Sequence, residues 1–139
     1  MLPSFATSRA QAFLVVGVAV GGAGSIASVA AGARMLHSDD GLHVLSGFLY
    51  GAPVALFLGA IVAGFGDRSR PVISGIVASE GGWALLGAVL LLLTQRSPVP
   101  AAGVLLLLFV SGHLFPIVPV AGALGGLIGG RLGRRHQRG

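Results

Sequence analysis

Two residues in a long apolar sequence have side chains able to do acid–base chemistry: Glu80, in Ser79-Glu80-Gly81-Gly82-Trp83, and His113, in Ser111-Gly112-His113. A carboxylate inside a membrane-length run costs on the order of 3 kcal/mol on insertion scales, so it normally faces a partner helix or a water-filled cavity. Glu80 follows Pro71 by nine residues, which puts it about 13 Å into a helix that starts there. His113 lies about 20 Å beyond Pro100 and therefore about 10 Å from the far boundary of a ~30 Å hydrocarbon core. The two depths agree, and two lone polar groups are better buried together than apart. The expectation is a membrane-embedded polar pair, Glu80 with His113, meeting inside the bundle. It would serve either as a static hydrogen bond that fixes helix register or as a proton-responsive pair.

A second cluster, His37, Asp39, Asp40 and His43, has residue types that suit a divalent metal. Its spacing matches no established site, and a polar loop with a helix N-cap at Asp39 or Asp40 explains it as well. No metal site is expected. The chain has no Cys and no Asn, which excludes disulfides, thiolate nucleophiles, sulfur ligands and N-glycosylation. No motif supplies a nucleophile with its base, so no catalytic residue, no cofactor and no enzymatic activity are expected.

The elements that must position Glu80 and His113 follow from hydropathy. Apolar residues make up 54% of the chain and charged residues 9%, and the mean hydropathy is +0.91. Those values describe an all-α integral membrane protein, read here as one multi-pass domain over residues 1–139. Four transmembrane helices are expected, spanning approximately residues 10–33, 41–66, 71–94 and 99–130. The last is broken near 116–119 by Pro116 and Pro119, because the uncharged stretch from Ser97 to Gly130 would reach about 50 Å as one straight helix. Whether residues 117–130 continue the fourth span, re-enter or form a fifth is left open by the sequence. The first run, between Arg9 and Ala31-Gly32-Ala33, also permits a cleaved signal peptide, although it is long for a signal h-region.

Glycine is unusually abundant, at 24 residues, and much of it falls at four-residue spacing. Gly47, Gly51, Ala55, Gly59 and Ala63 form the longest ladder, Gly17 and Gly21 line the first span, and Gly122 and Gly126 line the last. Small residues at i and i+4 let helix backbones approach closely, the usual basis of helix association in lipid. Pro53 falls within the long ladder and is expected to bend that span.

The nine basic residues are all Arg, and they lie at the ends of the apolar runs. With four spans and both termini cytoplasmic, Arg9, Arg68, Arg70, Arg131, Arg134, Arg135 and Arg138 are inside and Arg34 and Arg96 outside, the arrangement that the positive-inside rule prefers. Arg68, Arg70, Arg131, Arg134, Arg135 and Arg138 are the topology anchors, and the C-terminal cluster could hold anionic lipid head groups. A net charge of +5 without a soluble surface gives no reason to expect nucleic acid. The functional expectation is a small, glycine-rich, multi-pass protein of the cell membrane. It would assemble through its Gly/Ala helix faces, as a homo-oligomer or as a subunit of a larger membrane complex. The alternative is a small proton-linked transporter or channel that uses Glu80.

Overall fold

The computed structural model describes residues 8–35, 50–95, 109–113 and 116–139. Helix is the only regular structure among them: α1 (Ser8–Met35), α2 (Ala52–Gly66), α3 (Pro71–Thr94) and α4 (Ile117–Arg135), plus a helical turn at 109–113. The cluster His37, Asp39, Asp40 and His43, the ladder's first residue Gly47, and Arg96 lie outside the described residues.

Local chemistry sets the ends of the helices. Asp67 is extended, at φ −104° and ψ 102°, and its backbone N–H closes α2 on Ala63 O. Pro71 then opens α3, where its missing N–H costs no helical hydrogen bond. Pro53 falls in the first turn of α2 as described, directly after a wider, π-type turn at Tyr50–Gly51. The expected break in the last apolar segment is placed before Ile117, with Pro116 as the residue preceding α4. Pro119 sits in the first turn of α4 and interrupts nothing, and α4 runs on past Gly130 to Arg135.

The helices pack as a rhombus, with α2 and α3 on the short diagonal and each touching both α1 and α4. Contacts at the glycines give the directions. Gly17 faces Ala63 and Gly51 faces Ser28, so α1 and α2 are antiparallel; Gly81 faces Val18 and Gly22 faces Leu85, so α1 and α3 are parallel. Gly87 meets Phe109, Gly112 meets Trp83, Gly122 meets Ile76 and Gly126 meets Gly75, so the 109–113 turn and α4 both descend antiparallel to α3. His113 and Gly122 meet neighbouring turns of α3, at Glu80 and Ile76.

Small side chains fill the centre and large apolar ones cover the outside. Ala52, Ala60, Ala63, Ala78, Ser25 and Ser79 are fully buried beside a few large residues, chiefly Leu56, Leu86, Trp83 and Val118. Val15, Val54, Leu58, Ile73, Leu92 and Leu124, by contrast, are each at least half exposed. Two helices are long and apolar enough to cross a membrane, at Arg9–Ala31 and Pro71–Leu92, and the shorter α2 is apolar throughout. Of the first window 28% is buried, and of the second 44%.

Candidate functional site

Position 80 on α3 and position 113 on the helical turn are brought face to face. His113 Nε2 lies 2.7 Å from Glu80 Oε2, within hydrogen-bond distance. The turn is held there by aromatic packing one helical turn away. Trp83 stacks on Phe109 with ring centroids 5.0 Å apart and 7° between planes, and Trp83 Nε1 donates to Phe109 O at 3.2 Å. Ile76, Glu80, Trp83 and Gly87 thus form the face of α3 along which the descending segment runs.

The pair does not lie inside the bundle. Its side chains are 47% (His113) and 38% (Glu80) accessible, on the lateral surface. At this level the interior is closed by backbone-to-backbone packing: a Cβ on Gly82 would come within 3.0 Å of Gly22 N, and Ser79 is turned inward toward Gly122. No space remains for a carboxyl and an imidazole. The buried hydroxyls are satisfied locally instead, Ser25 Oγ donating to Gly21 O at 2.6 Å and Ser79 Oγ to Ile76 O at 2.9 Å.

The small-residue ladders meet one another. Gly51, just before α2, and Ala55, Gly59 and Ala63 within it face Ser28, Gly24, Gly21 and Gly17 of α1; a Cβ on Gly17 would sit 2.5 Å from Gly59 O. On α4, Gly122 and Gly126 lie against α3, at Ile76 and Pro71. Sequence reasoning missed a second α4 ladder, Gly125, Gly129 and Gly133, which lies on the backbone of α2 at Phe57, Ile61 and Phe65. Its four-residue spacing is present in the sequence, but a helix with glycine on two faces does not reveal that it wedges between two partners.

One end of the bundle gathers the basic residues. Phe13 of α1 packs against Phe65 of α2 with ring centroids 5.8 Å apart and the planes tilted by 43°, and Phe65 lies 6.4 Å from the His136 ring after α4. The start of α1, the α2–α3 turn and the end of α4 are therefore neighbours. That places Arg9, Arg68, Arg70, Arg131, Arg134, Arg135 and Arg138 at the same end, while the backbone of Arg34 is at the other end of α1. Arg9 covers the Phe13 ring at 5.6 Å. Arg131, Arg134, Arg135 and Arg138 line a cleft of about 280 Å³. The neighbouring Asp67 is turned to its own loop: Oδ1 accepts from Ser69 N, Ser69 Oγ and Arg70 N, and Oδ2 accepts from Ser74 Oγ at 2.5 Å. Partial burial acts to raise its pKa, but these hydrogen bonds outweigh it and hold the carboxyl below its usual value of 3.8.

Among the described residues no three His, Cys, Asp or Glu side chains come together as a metal site. No known family, curated protein or solved structure matches the chain.

Proposed function

We propose that the chain is a multi-pass protein of the cell membrane, with four spans and both termini cytoplasmic, which works as a subunit of a lateral assembly, either with further copies of itself or with another membrane protein. The observation that carries this reading is the inverted distribution of side chains, with small residues inside and large aliphatic ones outside. In water that surface would be a single aggregating patch, whereas in lipid it is the expected exterior. The gathering of seven Arg at one end supports the orientation.

The Gly/Ala ladders on α1, α2 and α4 are occupied by each other, so the face left for association is the one that presents Glu80 and His113. At about 13 Å from the end of α3, this half-exposed pair would sit near the middle of the hydrocarbon, where an uncovered charged group is costly. A neighbouring membrane helix that offers polar groups removes that cost. Native mass spectrometry of the detergent-solubilised protein, alone and after mild extraction from its own membrane, tests the reading. A stable oligomer or a fixed partner that Glu80→Leu dissociates supports it; a bare monomer under both conditions refutes it.

The same pair favours one further reading, proton-linked transport. Because the pair lies on the outside of the bundle, the pathway would run between copies rather than through one chain. Proton flux in reconstituted vesicles that is lost in Glu80→Gln would select it.

A further inference from the structure

The positions 117, 121, 124, 128, 131, 135 and 138 are spaced alternately by four and three residues, and so form one stripe along α4 and the turn that follows it. The C-terminal part of this stripe belongs to the basic cleft of Arg131, Arg134, Arg135 and Arg138. Its N-terminal part lines an apolar groove of about 480 Å³, made by Pro116, Ile117, Val120, Ala121 and Leu124 with Phe57 of α2 across from them. Exposed Leu127 and Ile128 join the two.

From these features we propose that the α4 stripe is a binding site for one anionic phospholipid, its phosphate held by the four Arg and one acyl chain lying down the stripe into the groove beside Phe57. This inference rests on the membrane placement proposed above. The depth is appropriate. A Cβ on Gly130 would lie 2.5 Å from Pro71, the first residue of the apolar window of α3, so Arg131 stands at the head-group boundary. Leu124 is then about 10 Å and Ala121 about 15 Å below it, within the half-thickness of a ~30 Å core. The charge is also available, since among the described residues no carboxylate pairs with any of the four guanidinium groups, and Asp67 accepts from its own turn. Planar guanidinium donors suit phosphate oxygens, and in phosphatidylglycerol no cation offsets the phosphate charge, whereas the choline of phosphatidylcholine does so and would be repelled by the four Arg.

The test is competitive loading of the purified full-length protein with phosphatidylglycerol and phosphatidylcholine of identical acyl chains, read by native mass spectrometry, beside inorganic phosphate alone. Phosphatidylglycerol should be retained preferentially, and Arg134→Gln/Arg135→Gln should lower its affinity about thirtyfold, at ~1 kcal/mol for each Arg removed. Val120→Trp, which adds bulk in the groove from a half-exposed position, should weaken retention while leaving the Arg cleft intact. Equal retention of the two lipids, an Arg variant without effect, or saturation by inorganic phosphate at the lipid's concentration would overturn the site. Alkaline extraction of membranes containing the protein keeps the two ideas apart. Release into the soluble fraction defeats the membrane reading itself, whereas an integrated protein that shows no lipid preference defeats only this proposal.

Discussion

At Asp67 one carboxylate organises the turn that joins α2 to α3, accepting two backbone N–H groups and two hydroxyls. Because its folded pKa is depressed, its contribution to stability is complete above the ordinary value of 3.8 and is lost as pH falls through the lower folded value. Asp67→Ala should therefore cost about 1 kcal/mol near neutrality, typical of a lost cap. The difference in Tm between wild type and variant in detergent should shrink as pH drops below 3.8, and a difference that stays constant down to pH ~2 would mean that the carboxylate is not the group responsible. Glu80 and His113 admit a different measurement, since each is the other's partner at 2.7 Å. A double-mutant cycle of Glu80→Gln and His113→Ala on thermal stability should show coupling of about 0.6 kcal/mol, the average for polar contacts between membrane helices. Strict additivity would show that the two side chains do not interact.

At the scale of the helix, the deciding quantity is what stands opposite each glycine. A Cβ on Gly59 would run into the backbone of α1, 2.9 Å from Gly21 N, and backbone cannot rotate away. Gly22 differs, because the atoms its Cβ would meet all belong to the Leu85 side chain, a half-exposed group free to change rotamer. Gly59→Leu should accordingly cost about 1 to 3 kcal/mol through overpacking, whereas Gly22→Ala should cost well under half of that. Leu58 is half exposed on the outer face of α2, so Leu58→Ala should leave Tm in detergent nearly unchanged. A Gly59→Leu variant as stable as Leu58→Ala would mean that α1 and α2 are not in close contact at this ladder.

Across the molecule, the antiparallel course of α1 and α2, the rise of α3 and the descent of α4 bring the beginning of α1 and the end of α4 to the same end of the bundle. A reporter active only outside the cytoplasm, fused after Gly139, should thus give no signal, and moving Arg131, Arg134, Arg135 and Arg138 to Gln together should weaken that preference. A strong signal from the unaltered fusion would place the basic end outside and reverse the proposed orientation.

Hydropathy alone located α1 and α3 to within two residues at each end, because a charge-free run bounded by Arg or Pro leaves a helix few alternatives. Spacing alone identified Gly17, Gly21, Gly51, Gly59, Gly122 and Gly126 as close-approach positions, since a four-residue repeat puts them on one face of any helix. It did not identify what they approach: the same repeat serves a neighbour in the chain or a second copy, and the tertiary structure pairs α1 with α2 and wedges α4 between α2 and α3. The meeting of Glu80 with His113 followed from depth, which counts residues along the axis. Whether the pair lies inside or outside depends on rotation about that axis. The rotation was decided by how closely Gly82 and Gly22 bring two backbones together, a distance that no periodicity in the sequence contains.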